Sequence, residues 1–190
     1  MSHIDIELQQ LKSETIEMWN LVILQLKKTH EALVSFDKDL AREVVSNEKR
    51  VNGMELKIDR DCENIFALFN PVAVDLRFVL AALKINNNLE RTGDIAEGIA
   101  KFIISEADPF DEKLIAGTQI NEMYEEENDM LVDVLKSYEN EDTRLARSVF
   151  KRDDLLDEIN KKANSAIAEY IRNNPDKIEQ GLYILSTIRK

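Results

Sequence analysis

The sequence predicts an all-α protein that consists of two tandem antiparallel three-helix bundles. Glycine and proline are scarce, with 5 and 3 among 190 residues, whereas the helix-forming residues Leu, Glu, Lys and Ala are abundant. Apolar residues recur at helical spacing over long stretches, and no proline interrupts these stretches. Each proline instead falls at a break between two of them, at Asn70-Pro71, Asp108-Pro109 and Asn174-Pro175.

Three long stretches in the first half of the chain are predicted to be helices. The first runs from Ile4 to about Val34, and the second runs from Lys38 to Phe69 with Asp37 as its N-cap. The third covers residues 71–106, with Asn70 as its cap and a proline in its first position. Because short turns join these stretches, neighbouring helices should pack antiparallel.

The turn Asp108-Pro109-Phe110-Asp111 is the predicted boundary between two domains, residues 1–108 and residues 109–190. Each domain is expected to hold one three-helix bundle. The predicted helices of the second domain are Glu112 to Tyr138, Asp142 to Arg172, and a last helix that starts near Asp176 and continues to Lys190.

The second half of the chain repeats the first at a shift of 105 positions, which predicts a pseudo-twofold relation between the bundles. The alternative to a repeat is a chance match, because any two amphipathic helices share an apolar period. Here acidic residues and Asn-Pro breaks match in addition to the apolar residues, which favours a repeat. The matched pairs are Leu40 with Leu145, Ala41 with Ala146, Val44 with Val149, Glu48 with Asp153, Val51 with Leu156 and Asn52 with Asp157. The last helix is too short to pair fully with its neighbours, so we expect it to be truncated.

The charge and the apolar runs limit the classes of partner. A net charge of −12 and a pI of about 4.7 argue against binding to nucleic acid or to an anionic lipid surface. Residues 1–9 lack the pattern of a signal peptide, and runs such as Phe78 to Leu83 are far shorter than a membrane span. Cys62, the only cysteine, is expected in the core and without a disulfide. We therefore expect a cytoplasmic protein without direct membrane insertion.

Glu90 and Asp94 are the first candidate ligands for a metal ion. They lie four residues apart, so both carboxylates leave one face of the third helix. An antiparallel hairpin that turns near Asn70 brings Glu48 and Asn52 of the second helix opposite them. Clustered carboxylate and amide oxygens suit divalent cations or oxygen-bound iron. The alternative is a solvated acidic surface with local arginine ion pairs.

The sequence lacks the residue patterns of common catalytic sites. Di-iron oxidase bundles use Glu-x-x-His pairs, whereas the only histidines here, His3 and His30, are not in such pairs. No glycine-rich phosphate loop, nucleophile elbow or histidine-containing triad is present. We therefore expect a protein that is not an enzyme.

Two motifs of the third helix together resemble the PhoU family. The first is Asn70-Pro71-Val72-Ala73-Val74-Asp75-Leu76-Arg77, and the second is Leu89-Glu90-Arg91-Thr92-Gly93-Asp94. In the second helix, Leu40-Ala41, Val51-Asn52 and Glu55 also stand where the family pattern expects them. The resemblance covers the whole chain as two tandem three-helix repeats.

This resemblance implies a cytoplasmic regulator of phosphate uptake and phosphate-starvation signalling. Family members are similar to adaptors that couple a phosphate ABC transporter ATPase to a sensor histidine kinase. They repress the starvation response when phosphate is plentiful, and they often form homodimers. A regulator linked to a sodium–phosphate cotransporter and a purely structural helical scaffold are the alternatives.

The resemblance also implies metal clusters, of iron or zinc first and of Mg, Mn, Ni or Ca as alternatives. The expected metal ligands are Glu48, Asn52, Glu90, Asp94, Asp153 and Asp157. Two departures from the family pattern matter. Asn52 stands where an acid would bind more strongly, and the second repeat lacks its Glu-x-x-x-Asp half.

Overall fold

The computed structural model describes residues 2–190, and these residues form helices and turns without a β-strand. The helices are α1 His3–Ser35, α2 Lys38–Phe69, α3 Ala73–Ser105, α4 Glu112–Thr118, α5 Ile120–Asn140, α6 Thr143–Val149, α7 Asp153–Asn173 and α8 Ile178–Ile188, with a 3₁₀ turn at Pro175–Lys177. The predicted all-α fold is confirmed. No helix within residues 2–190 has both the length and the apolar character to cross a bilayer. The signal-peptide prediction includes Met1, which lies outside the described residues.

The first three helices form one antiparallel bundle in which each helix packs against the other two. Local side chains fix where two of these helices begin. Ser2 and Asp5 form a capping box at the start of α1. Asp37 caps α2, since its Oδ1 accepts hydrogen bonds from the backbone N–H groups of Asp39 and Leu40, both at 2.9 Å. The predicted role of Asp37 is confirmed.

The junction between α2 and α3 differs from the prediction that Asn70 caps the third helix. Asn70 has φ of 47° and is the C-terminal cap of α2, while α3 begins at Ala73. Asparagine tolerates this left-handed conformation better than most residues. The following Pro71 disfavours a right-handed helical conformation at Asn70. An Asn-Pro pair therefore ends one helix here instead of starting the next.

The predicted fourth helix is two helices, which corrects the expectation of one element from Glu112 to Tyr138. Gln119, with φ of 56°, breaks it into α4 and α5. Gly117 lowers helix propensity just before the break. The Thr118 hydroxyl donates to the Leu114 carbonyl oxygen at 2.8 Å, a bond of the kind that bends helices.

The predicted fifth helix is also two helices, α6 and α7, because the α-helical hydrogen-bond pattern is interrupted at residues 150–152. There the N–H groups of Lys151 and Arg152 donate to carbonyl oxygens three residues back. Arg152 turns toward α5, where its guanidinium pairs with Glu126 and lies 2.9 Å from Asp133 Oδ2. Three acids of α5 face this arginine, since Asp129 is also within 3.9 Å. The break is thus held by a contact with another helix.

The turns that precede α2 and α6 share one conformation, which confirms the predicted repeat. Phe36 and Glu141 have φ of 54° and 55°. The next residue in each turn is an aspartate N-cap, and Asp142 accepts from the N–H groups of Arg144 and Leu145 as Asp37 does in the first turn. The equivalent residues are separated by the 105 positions expected from the sequence.

The hydrophobic core is shared between the two halves of the chain. One buried cluster combines Ile99 and Ile103 of α3 with Ile159 of α7 and Ile184 of α8. A second cluster fills the other end of the first bundle and takes Leu135 from α5. Cys62 is fully buried in this second cluster, as expected. The domain boundary near residue 108 stays a prediction.

Candidate metal centre between α2 and α3

The α2–α3 hairpin brings Glu48 directly against Gly93. A Cβ atom built at Gly93 would lie 3.1 Å from Glu48 Oε2 and 3.1 Å from Val51 Cγ1. Such contacts are tighter than ordinary van der Waals distances, so the absence of a side chain at position 93 lets α2 approach this closely. The glycine between Glu90 and Asp94 therefore has a structural reason, since it makes room for the facing carboxylate.

Glu48 is buried without hydrogen-bond donors. It is 2% exposed, and neither of its carboxylate oxygens has a partner among the described residues. Gln25 of α1 is its buried polar neighbour, but Gln25 Nε2 donates to the Val44 carbonyl oxygen at 2.9 Å. An unpaired buried charge costs several kcal/mol unless a proton or a cation relieves it.

Burial and neighbouring acids both act against the charged form of Glu48. Burial comes first, followed by the negative charges of Asp94, Glu97 and Glu90, and together they raise the pKa of Glu48 to about 7. Gln25 opposes this rise in the pKa of Glu48, but its effect is the smallest of these influences. Near neutral pH this carboxyl group is thus poised between its two protonation states.

The two acids of the α3 motif lie beside Glu48 and are more accessible to solvent. Glu90 is half-buried and Asp94 is exposed. The pKa of Glu90 is raised, first by burial and then by the charges of Asp94 and Glu55. Glu48, Glu90 and Asp94 therefore lie close enough together to raise one another's energy when charged. The antiparallel hairpin predicted this proximity.

Asn52 and Glu97 change the predicted composition of this site. Asn52 is exposed one turn beyond Glu48 and has no side-chain hydrogen bond among the described residues. Glu97, which the sequence argument missed, acts on Glu48 and forms an ion pair with Lys101 at 2.7 Å. Its signal was available, because position 97 lies two helical turns beyond Glu90 on the same face.

The residues present fit a cation that is bound mainly through oxygen. Glu48 offers two buried oxygen atoms without donors, and flexible carboxylates stand next to it. Within residues 2–190, no three His, Cys, Asp or Glu side chains already stand close enough together to hold a metal ion. Binding would therefore require Glu90 and Asp94 to turn toward Glu48, which their partial exposure permits.

Glu55 and Asp59 form a second four-residue acidic pair on α2, and the Asp59 carboxylate already accepts a hydrogen bond across the hairpin. Buried Asn86 of α3 donates to Asp59 Oδ1 at 2.8 Å and to the Glu55 carbonyl oxygen at 3.0 Å. These bonds fix the register between the two helices. They also explain why Asp59 is less available as a ligand than Glu48.

Asp153 and Asp157, the expected ligands of the second repeat, lie exposed at the start of α7. They border a cleft of about 280 Å³ between the two halves, together with Glu127 of α5. Burial raises the pKa of Glu127. Asp157 also lies 3.6 Å from Lys161 Nζ. No acids equivalent to Glu90 and Asp94 face this pair within the described residues.

The chain is a helical repeat protein, with two helical bundles in tandem and a pair of acids four residues apart in each half. A family model described as "PhoU domain" matches residues 15–103 and 120–190, once in each half of the chain. The chain belongs to the PhoU family.

Curated relatives are similar over most of the chain. A phosphate-specific transport system accessory protein PhoU homolog of Aquifex aeolicus is 33% identical over 94% of this chain and 80% of its own length. A homolog of Thermotoga maritima is 32% identical over 96% of this chain and 79% of its own length. These proteins therefore share both repeats with the chain described here.

Solved structures share the fold. The crystal structure of PhoU from Pseudomonas aeruginosa superposes with a TM-score of 0.89 at 28% identity, covering 98% of this chain and 89% of that one. The phosphate transport system regulatory protein PhoU from Streptococcus pneumoniae gives a TM-score of 0.81 at 27% identity, covering 98% and 86%. The predicted fold of two tandem bundles is thereby confirmed.

Proposed function

We propose that this protein is a non-catalytic accessory protein of a phosphate-specific transport system. It binds metal ions and acts in the cytoplasm as an adaptor between the transporter ATPase and a sensor histidine kinase, with negative regulation when phosphate is plentiful. Its membership of the PhoU family and the names of its relatives support the link to phosphate transport.

The observation that carries the metal-binding part of the proposal is the unpartnered Glu48 carboxylate. A bound cation would supply the positive charge that no protein group provides there. Glu48, Glu90 and Asp94 would hold the ion, while exposed Asn52 would add a weaker oxygen ligand. Iron or zinc is the metal that the family resemblance favours, with Mg, Mn, Ni or Ca as alternatives. Asp153 and Asp157 would form a poorer second site.

The adaptor part of the proposal rests on surface character. The chain carries a net charge of −12, so a basic surface on a protein partner suits it. The partners we propose are the transporter ATPase, the sensor histidine kinase and a second copy of this chain in a homodimer. Nucleic acid is not among them, because phosphate backbones repel this surface.

Metal analysis of a double variant tests the site. Glu90→Ala/Asp94→Ala should lose most of the metal that the parent retains after dialysis against trace metal. The matched control is Asp39→Ala/Glu43→Ala, which also removes two acids four residues apart from exposed positions of α2. Equal metal content in the parent and the Glu90→Ala/Asp94→Ala variant would overturn the proposed site.

Capture of the two proposed partners tests the adaptor role. The purified protein should retain the transporter ATPase and the cytoplasmic region of the kinase, with a difference between high and low phosphate. Failure to bind either partner would exclude the adaptor and leave the cotransporter-linked regulator or the structural scaffold. Binding to a sodium–phosphate cotransporter instead would select the first of these two.

A further inference from the structure

A second polar site lies between α1 and α2, away from the metal centre. Gln10 and Glu14 lie one turn apart on α1, and Lys57 and Asp61 lie one turn apart on the facing side of α2. Glu14 Oε1 accepts hydrogen bonds from Lys57 Nζ at 2.7 Å and from Gln10 Nε2 at 2.9 Å. Because the helices are antiparallel, the contact between Glu14 and Lys57 sets Asp61 beside Gln10 and next to Glu14.

The two acids of this site have buried oxygen atoms that no protein donor satisfies. Glu14 is 8% exposed, and its Oε2 is buried without a hydrogen-bond partner. Asp61 Oδ2 is likewise buried and unpartnered. Lys57 carries one positive charge and already donates to the other oxygen of Glu14, so one negative charge of the pair stays uncompensated.

We propose that Glu14 and Asp61 bind one proton between them and form a carboxyl–carboxylate hydrogen bond that joins α1 to α2. The proton turns one acid into a donor, and the other acid accepts from it. The shared proton gives a hydrogen-bond partner to both unpartnered oxygens, Glu14 Oε2 and Asp61 Oδ2. It also makes the site electrically neutral, because one carboxylate then faces the ammonium group of Lys57. The inference stands apart from the proposed function, since it uses none of the metal-site residues.

The charged groups around the pair support a single shared proton. The positive charge of Lys57 on α2 stabilises one carboxylate of the pair. The acids Glu7 and Glu17 of α1 add further negative charge near the site. On the core side lie buried Cys62 of α2 and half-buried Tyr138 of α5. Both are neutral in this range, because burial raises the pKa of the Cys62 thiol to about 12 and also raises the pKa of the Tyr138 hydroxyl. The buried residues that α3 contributes to this core cluster are all apolar, namely Val79, Ala82 and Leu89.

The two carboxyl groups are shifted in opposite directions. Burial and the Glu14 carboxylate raise the pKa of Asp61 to about 6. Burial opposes the charged form of Glu14, but hydrogen bonds from Lys57, Asp61 and Gln10 outweigh it and lower the pKa of Glu14. Asp61 therefore contributes stability that is present below its ordinary pKa of 3.8 and is lost as pH rises through 6. Glu14 contributes stability above its ordinary pKa of 4.5. Between about pH 4.5 and pH 6, the pair that holds one proton is thus the most stable form.

Carbon-13 NMR of the side-chain carboxyl groups tests the shared proton directly. In the parent, the Asp61 carboxyl signal should titrate with a midpoint near pH 6, far above that of exposed Asp39. In Glu14→Gln, whose amide can donate to Asp61, the midpoint should fall by about one pH unit or more. A parent midpoint for Asp61 equal to that of Asp39, or a midpoint that Glu14→Gln leaves unchanged, would overturn the proposal.

A stability measurement provides an independent readout. The parent should lose unfolding free energy relative to Asp61→Asn as pH rises from about 4 to about 6, because the amide keeps its donor at every pH. The matched control is Glu31→Gln, which removes an exposed acid of α1 away from this site. Identical pH dependence in the parent and Asp61→Asn contradicts the proposal. A pH-dependent difference that is equally large in Glu31→Gln also contradicts it.

Discussion

Replacement of Glu48 by glutamine should stabilise the metal-free protein at neutral and alkaline pH. The folded protein raises the pKa of Glu48 from 4.5 to about 7, first through burial. Folding therefore favours the protonated form, and stability is lost as pH rises from 4.5 through 7. At about 1.4 kcal/mol per pKa unit, the loss above pH 7 amounts to about 3 kcal/mol. Glutamine has nearly the same shape and no charge, so it should recover most of this loss.

Urea unfolding in the presence of a chelator measures the effect. The expected result is a gain of about 2 to 3 kcal/mol for Glu48→Gln above pH 7, shrinking toward zero near pH 4.5. Glu17→Gln, an exposed acid on α1, is the control and should show no such gain. If Glu48→Gln is no more stable than the parent above pH 7, then a hydrogen-bond donor or a positive charge already stabilises the Glu48 carboxylate in the metal-free protein. That result would refute the claim that this carboxylate is unpartnered.

Metal should reverse the order of the same two proteins. A ligand that binds only the folded state adds about 4.1 kcal/mol when its concentration is about 1,000 times its dissociation constant, which exceeds the advantage of about 2 to 3 kcal/mol expected for Glu48→Gln without metal. The parent should gain this stabilisation, whereas Glu48→Gln should gain much less because an amide is a weaker ligand. A metal-dependent gain of the same size in both proteins would show that the ion binds elsewhere.

The remaining predictions concern the close approach of α2 to α3 and the repeated turns. Gly93→Ala should weaken metal binding, since its Cβ would lie 3.1 Å from Glu48 Oε2. The control Gly53→Ala has nothing within 4 Å of its Cβ and should stabilise α2 by about 0.5 to 1 kcal/mol. Equal metal affinity in the Gly93→Ala and Gly53→Ala variants would refute the role of the glycine. Asp37→Ala and Asp142→Ala should each cost about 1 kcal/mol in thermal or urea unfolding, because each removes an N-cap. A large loss in only one of them would contradict the equivalence of the two turns.

Most of the first bundle follows from the sequence because its determinants are local. Apolar spacing and proline positions predict three helices, and the register of the hairpin then brings Glu48 toward Glu90 and Asp94. The same logic fails at Asn70, where one Asn-Pro pair is compatible with both a helix end and a helix start. Only the left-handed φ of 47° distinguishes the two.

The second half is less predictable because distant contacts decide it. Arg152 interrupts the predicted fifth helix by pairing with acids of α5, and no local pattern announces such a contact. The burial of Glu48 and the pairing of Glu14 with Asp61 are missed for the same reason. Each depends on which residues of another helix happen to face the side chain, and neither carries a motif.

The most direct test of the central claim is a crystal structure of the protein grown with iron or zinc, with the metal located by its anomalous scattering. The account predicts a metal peak at about 2.0 to 2.2 Å from a Glu48 oxygen, with Glu90 or Asp94 completing the ligands. Metal found only at other positions, with both Glu48 oxygens still lacking a partner, would contradict it.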